Sequence, residues 1–595
     1  MDFVGASLEA CPKLMAFRTI GKIQSYASTV VRNGFRTMWS TLLTPMKSQL
    51  EKKECVEKLS VVLGRQLTIN SVNFLDTPIR DGCSIKINKP VDNKLKSSCQ
   101  TGGLEHGFKP INFSSNSYNF LNAIRARVTC PLLKPDEKEV MEFTKWYKKN
   151  KKFFFGGMRG VTSLSFDEYI KGSNASPEVK KVLIRVKKEL DERFITEKTK
   201  LSSLDLRRWT TRKTFLKVEN LLYRSRFGVL KKAPRVINGA QPEFVDLTGP
   251  WFAAFSKRLK KIWNVNNFIT YSSGLSAEKI GHWAYKRKLW GHWAEDDVSK
   301  WDVSVRKYLL LIEADIYKYC GAPLAVNQLV RANIKTRSKS RFGISYTTPD
   351  GRKSGDPYTS CGNSILNALL HCYIYQRATG ITIKQIPQHL QMIVQGDDNA
   401  LVAKHQVDYK KIMEKLGFKA ETKHREHLYD VSFCSARFTP VSNGAVLLPN
   451  PSRVYMKFGT FATNKLINYE ELCSVSAKGL YNTLSFIPLF KNKFDKCIAL
   501  CPNAKERKMD EWQVWCNKPV KPSPETWVWL DKYFMGIPLS EKETIPMERF
   551  LELGTDAPTL YFKTIDPKHS IQSDNNGLVC PIAALKNSTK YYQGQ

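Results

Sequence analysis

QMIVQGDDNALVA, residues 391–403, sets two adjacent carboxylates, Asp397 and Asp398, between two short apolar runs. The flanks, Gln391 to Gln395 and Ala400 to Ala403, are rich in β-branched and aliphatic side chains, as strands require. Between them Gly396-Asp397-Asp398-Asn399 has turn chemistry, because Gly and Asn both tolerate positive φ. The stretch therefore reads as a β-hairpin with two like charges at its tip. A solvated loop tip is the plain alternative. A chemical role needs a third carboxylate and a cation held against all three. WAEDDVSKWDVSV, residues 293–305, supplies the candidate: Asp297 ends a strand-like run, and Asp302 follows five residues later. If that strand lies beside the hairpin, Asp297, Asp397 and Asp398 can converge on two divalent cations. Two metals suit a phosphoryl transfer that must activate a hydroxyl and stabilise a leaving pyrophosphate together. Oxygen donors without a nearby His or Cys point to Mg²⁺, with Mn²⁺ as a substitute.

Between the two acidic stretches lies GRKSGDPYTSCGNSILNALLHCY, residues 351–373. Ser354, Gly355, Thr359 and Asn363 form the pattern S-G-x-x-x-T-x-x-x-N. Gly355 suggests a flexible loop, and the run from Thr359 suits a helix on which Thr359 and Asn363 share a face. Alone, this pattern would read as a helix N-cap; beside the acids it reads as part of a site. Upstream, FLKVENLLYRSRFGVLKKAPRVI, residues 215–237, carries Lys217, Lys231, Lys232 and Arg235 on alternating, strand-like sequence. Cations emerging from strands suit a triphosphate, and Arg offers bidentate geometry to phosphate oxygens.

The charge balance agrees. Lys and Arg total 93 against 55 Asp and Glu, a formal +38 spread over all 595 residues, so a basic tail does not account for it. A folded chain this positive is attracted to a polyanion, nucleic acid or an anionic membrane surface. The 42% hydrophobic and 25% charged content is that of a globular protein. The 14 cysteines show no paired short spacings that complete a zinc site, and without a secretory signal they read as reduced thiols of a cytosol-like compartment. His424 and His427 lack a third ligand, no phosphate-binding G-x-x-x-x-G-K-[ST] loop occurs, and no apolar run reaches the length of a membrane span. Near the start, Phe17, Ile20, Tyr26, Val30, Met38 and Leu42 recur at roughly helical spacing with Arg18, Lys22, Arg32 and Arg36 between them. Such a stripe over 14–43 either lies in a membrane interface or packs on the protein's own core; both readings stand.

Along the chain, residues 60–130 look strand- and loop-rich, including the cluster FSSNSYNF. Residues 136–200 turn helical and charged, with FGGMRG as a loop between two pieces. From 205 to 400 strand-like and helix-like runs alternate, and beyond 460 the pattern is mainly helical, with Trp512, Trp515, Trp527 and Trp529.

The order of basic hairpin, D-x-x-x-x-D, S-G-x-x-x-T-x-x-x-N and G-D-D resembles the RNA-dependent RNA polymerases of positive-strand RNA viruses over roughly residues 205–460. DVSKWD, SGDPYTSCGNSILN and KAPRVI look most like the tombusvirus-like and nodavirus-like group. The resemblance implies an α+β right-hand fold of fingers, palm with an antiparallel sheet, and thumb. The expected division is 1–140 as an N-terminal region and fingers extension and 141–284 as fingers. Palm is expected over 285–435, with a fingers insertion at about 318–350, and thumb with C-terminal region over 436–595. It implies Asp297, Asp397 and Asp398 as catalytic metal ligands. Asp302, with Ser354, Gly355, Thr359 and Asn363, would sense the ribose of the incoming nucleotide, and Lys217, Lys232 and Arg235, with Lys231, would meet its triphosphate. Lys419 and Lys423 both fit the lysine that protonates pyrophosphate. Phe433-Cys434-Ser435 would support the primer strand, and Arg453 is the basic residue near the thumb.

The implied partners are single-stranded viral RNA as template, nascent RNA, NTPs, other replication proteins and a host membrane surface, and no DNA. The implied location is the host cytoplasm, on membrane-bound replication complexes. The residues favour RNA independently. An aromatic at position 302 would exclude a 2′-hydroxyl, whereas the acidic Asp302 can join a hydrogen-bond network with it through Asn363. The rivals are a DNA-synthesising polymerase, opposed by Asp302, and a scaffold that keeps a degenerate polymerase fold, opposed by the three intact acids.

Overall fold

The computed structural model describes residues 68–530, apart from 96–98, 102–108, 224–231, 452–453, 455–456, 463–468, 505–515 and 517. The stripe at 14–43, Lys231, Arg453, Trp512 and Trp515 lie outside the described residues. Helices and mainly antiparallel sheets are mixed along the chain, as the α+β expectation requires.

The sheet that carries the acids has five strands, in the order Lys419–Arg425, His292–Ser299, Asp398–Ala403, Leu390–Gln395 and Ile269–Tyr271. Its hairpin strands Leu390–Gln395 and Asp398–Ala403 are largely apolar without alternation because both faces are covered. Parity sorts the sheet's side chains into two cores. Met392, Val394, Leu401 and Ala294 join the cluster of Leu366 and Leu370. Ile393, Ala400, Val402 and Trp293 join a second cluster with Trp283, Phe438 and Val446. The first core is roofed by the helix Thr359–Thr379, buried from Cys361 through Tyr375 and ended by Gly380 in the left-handed region, φ 71°. A helix apolar on nearly all sides belongs in an interior. The second core is closed by the meander Ser432–Phe433, Ala436–Val441 and Gly444–Pro449. Against it packs the helix Ala277–Tyr285, where a Cβ on Gly281 would stand 2.1 Å from the Ala445 carbonyl oxygen.

A second five-stranded sheet joins Ser84–Ile87, Ile344–Thr348, Thr336–Ser340, Arg212–Leu216 and Val236–Gly239. Its strands Arg212–Leu216 and Val236–Gly239 take the two ends of the basic segment, whereas Leu221–Tyr223 pairs in a separate three-stranded sheet. One local expectation needs correction. FSSNSYNF is not a loop cluster: it ends a strand and starts the helix Ser117–Arg127, because Asn116 caps that helix by accepting from the Asn119 N–H at 2.8 Å. FGGMRG does separate two helices, as expected, and does so through a short 3₁₀ turn, Gly156–Met158. Beyond 460 the described residues include the helices Tyr469–Leu484, Pro488–Leu500 and Pro524–Trp529, as expected. Among the described residues no helix is long and apolar enough to cross a membrane.

Candidate active site

The hairpin is tighter than the sequence suggested. Gln395 pairs with Asp398, so the turn is Gly396-Asp397 alone and Asp398 is the first residue of the returning strand. Gly396 takes φ 65°, as the first position of a two-residue hairpin turn demands. Asn399 is not a turn residue. It lies in the strand, accepts from the Asp296 N–H at 3.1 Å through Oδ1, and donates to Asn367 Oδ1 at 3.3 Å.

Register brings the third acid alongside. The pairing ends at Leu401 and Ala294; continued three residues along each strand, that register would bring Asp398 across from Asp297, whose negative charge is felt at Asp398. Parity then separates the three acids of Glu295-Asp296-Asp297. Asp296 turns under the roof helix, where its Oδ2 lies 3.1 Å from His371 Nε2. Glu295 and Asp297 face the other way; Glu295 is taken up by Arg425 and by the Ser432 N–H. Asp297 is half-buried and left beside Asp398.

The acids repel one another. Asp397 and Asp398 are solvent-accessible yet set among enough protein that burial, first, and neighbouring negative charge, second, raise both carboxyls. Asp397 is pushed up to about 6 by burial and by Asp302, with Asp297 adding. Asp398 is pushed up to about 7 by burial, Asp397 and Asp297, with a hydrogen bond from the Cys434 thiol opposing. Burial also raises Asp297, against the pull of Lys423. Among the described residues no three His, Cys, Asp or Glu side chains already converge as a metal-binding group. The donor chemistry still fits a hard dication: oxygen ligands only, sharing a negative field that a cation would relieve.

The roof helix fixes the turn. The Ser364 hydroxyl accepts from the Gly396 N–H at 2.7 Å, and Asn367 Nδ2 donates to the carbonyls of Asp397 at 2.8 Å and Gly396 at 3.2 Å. One turn earlier Asn363 Nδ2 donates to Asp302 Oδ1 at 3.0 Å. The expected partners Ser354 and Thr359 are not aimed at Asp302. Ser354 Oγ donates to the Val236 carbonyl at 3.4 Å; Thr359 Oγ1 donates to the carbonyls of Lys353 at 2.7 Å and Asp356 at 3.1 Å. Gly355 is not there for flexibility. It bridges Gly239, and a Cβ would meet the Asn238 carbonyl oxygen at 2.3 Å, so close backbone approach excludes a side chain.

Of the cations, Lys217 and Arg235 are tied together: the Lys217 N–H donates to the Arg235 carbonyl at 2.8 Å, and both side chains reach Glu219, at 2.9 and 3.1 Å. Positive charge from Arg235 is felt at Asp302 and Asp397, which brings the basic segment into the field of the acids. Lys232 lies on the chain between the undescribed residues and Arg235. At the far side Cys434 and Ser435 form a two-residue turn with φ 52° and 60°, strained for side chains other than Gly, and the Cys434 thiol meets Asp398.

The profile of the family described as RNA dependent RNA polymerase matches residues 167–475, just over half of the chain. The chain belongs to that family. Its likeness to individual relatives is modest. It is 26% identical to RNA-directed RNA polymerase 2a of Alfalfa mosaic virus over 238 residues, 39% of this chain and 29% of the relative. It is 27% identical to the genome polyprotein of Bovine enteric calicivirus NB over 151 residues, 24% of this chain and 7% of the polyprotein. With the genome polyprotein of Classical swine fever virus it shares 31% over 109 residues, 18% of this chain and 3% of that polyprotein. The chain thus spans less than a third of the length of these curated relatives. The polymerase resemblance holds at the level of the family.

Several residues of this site were missed in the sequence. Asn367 and His371 continue the four-residue spacing of Thr359 and Asn363, a signal that was available. Arg352, two residues before Ser354, and Glu313, in the largely apolar run KYLLLIEADIYKYC, were legible only as oddities.

Proposed function

We propose that this chain is a viral RNA-dependent RNA polymerase, joining NTPs to an RNA 3′-hydroxyl under the direction of a single-stranded RNA template and so replicating and transcribing a positive-strand RNA genome. The carrying observation is that Asp297 and Asp398 share one sheet face with Asp397 at the turn, while Asp302 and Arg235 lie within the same electrostatic field. Family membership and the formal charge of +38 support the reading. The right-hand layout, with the acid-bearing sheet as palm, and a place in the tombusvirus-like and nodavirus-like group belong to the proposal, as do host membranes and replication proteins as partners.

In this reading Asp297, Asp397 and Asp398 would hold two Mg²⁺ ions, with Mn²⁺ able to substitute. When bound, such ions lower the pKa of the attacking 3′-hydroxyl and neutralise the departing pyrophosphate. Arg235, with Lys217 and Lys232, orients the triphosphate, a task that Glu219 prepares by holding Lys217 and Arg235 together. Asp302 and Asn363 take the 2′-hydroxyl. Lys423, whose charge reaches Asp297, is a better candidate than Lys419 to hand a proton to the pyrophosphate. The test is labelled-nucleotide incorporation on a single-stranded RNA template, with NTPs and dNTPs in parallel and with Mg²⁺ present or chelated. NTP incorporation that chelation abolishes is expected. Preference for dNTPs, or indifference to chelation, would overturn the reading.

A further inference from the structure

Arg352 makes two kinds of buried contact, and both bear on Asn363. Its Nε donates to Asn363 Oδ1 at 2.8 Å. Its Nη1 donates to Glu313 Oε1 at 2.9 Å, and Nη2 lies 2.7 Å from Glu313 Oε2 as an ion-pair contact off hydrogen-bond geometry. Both charged side chains are buried, and the Tyr317 hydroxyl also donates to Glu313. Gly362 makes the room: a Cβ there would stand 2.1 Å from Glu313 Oε1 and 3.0 Å from Arg352 Nη2. A buried ion pair scarcely recovers its own desolvation cost, so packing alone gives no reason for one here.

The two ends of an amide are nearly alike in shape and opposite in hydrogen bonding. Asn363 could turn either end to Asp302. Turning the oxygen would set a carbonyl against a carboxylate. A guanidinium donor fixed on Oδ1 leaves the orientation in which Nδ2 faces Asp302, the contact seen at 3.0 Å. The Arg352 backbone N–H also donates to the Asp302 carbonyl, at 2.6 Å, so one residue braces both members of the pair.

We propose that Arg352, anchored by Glu313, is a positioning residue that sets the Asn363 amide and through it the discrimination of ribose from 2′-deoxyribose at the nucleotide site. This rests on the polymerase reading and adds to it the residue that orders the sugar-sensing pair. With Asp302 Oδ1 taken by Asn363, Oδ2 is the oxygen offered to a sugar hydroxyl, and a 2′-deoxy sugar has nothing to donate to it.

The test compares the full chain with Arg352→Lys, which keeps a cation opposite Glu313 but loses the guanidinium fork. A second variant, Arg352→Met with Glu313→Leu, removes both buried charges together. Tyr317→Phe serves as the control, since it keeps the ring and removes only the hydroxyl that bonds the Glu313 end. The readouts are kcat/KM for NTPs and for 2′-deoxy-NTPs on one RNA template, with a thermal melt of each protein. Either Arg352 variant should lower the ribo-to-deoxy ratio about tenfold or more, the scale of one hydrogen bond to a charged group, chiefly through the ribonucleotide KM. Tyr317→Phe should keep the wild-type ratio. An unchanged ratio in both Arg352 variants, an equal fall in Tyr317→Phe, or loss of cooperative melting in both Arg352 variants would overturn the inference alone. A wild type that incorporates neither nucleotide would overturn the polymerase reading, and the inference with it.

Discussion

Asn363, Asn367 and His371 fall at four-residue intervals on one helix, and each meets a different part of the acidic sheet. Asn363 holds Asp302, Asn367 the backbone of the Gly396-Asp397 turn, and His371 the carboxylate of Asp296. Asn367 is fully buried, so no water replaces it. Asn367→Ala should cost about 1–3 kcal/mol of stability, from unpaired carbonyls and a lost hydrogen bond. It should also lower kcat while leaving the NTP KM near its wild-type value, because the acids and not the nucleotide contacts are loosened. Thermal melts and single-nucleotide incorporation together check this. A second residue governs pH behaviour away from the site. Asp246, on the helix Pro242–Ile262, is buried with Oδ1 unpartnered, and burial pushes its carboxyl up to about 7. The folded chain therefore keeps a proton that the unfolded chain releases near pH 4, so stability falls as pH rises from about 4 to about 7. Asp246→Asn should raise the urea midpoint at pH 8 and change it little at pH 4.

At the scale of elements, the junction between the second sheet and the roof helix depends on Gly355. Gly355→Ala should destabilise the chain by about 1–3 kcal/mol, the range for overpacking, because the atoms in the way are backbone and have no rotamer to change. A melt that is unchanged within a degree would mean the loop is as free as its Ser-Gly sequence suggested. The same loop shows what was legible in the sequence and what was not. The strands around Asp397, the strand ending near Asp297 and the helix from Thr359 follow from composition and periodicity. That Asp297 and not Asp296 stands beside Asp398 follows from strand parity once the hairpin register is known. The aim of the Ser354 and Thr359 hydroxyls was not legible, because a backbone carbonyl nearby competes with any distant partner for a short polar side chain. Asn399 misled for a related reason: an Asn beside a turn and an Asn inside a strand differ only in a tertiary partner, here Asp296 and Asn367.

Over the whole molecule the proposed polymerase reading makes the formal +38 the feature that would govern how it meets RNA. If the chain neutralises roughly six to ten phosphates, binding to single-stranded RNA should weaken by some orders of magnitude between about 50 and 200 mM salt. Filter binding across that range checks it, and a flat salt response would show that the excess charge is merely solvated. The acids add nothing to this attraction and oppose it locally; in the proposed reading they would act once RNA and nucleotide are in place. That division of labour sets up the most direct test of the central claim, that Asp397 serves catalysis and not folding or RNA binding. Labelled NTP incorporation on a single-stranded RNA template should be measured for wild type and Asp397→Asn in Mg²⁺, alongside RNA affinity and thermal melts. The account predicts incorporation in wild type and a loss of about a thousandfold or more in the variant, the scale of a catalytic electrostatic group, with affinity and melting unimpaired. Incorporation by Asp397→Asn at the wild-type rate would contradict it.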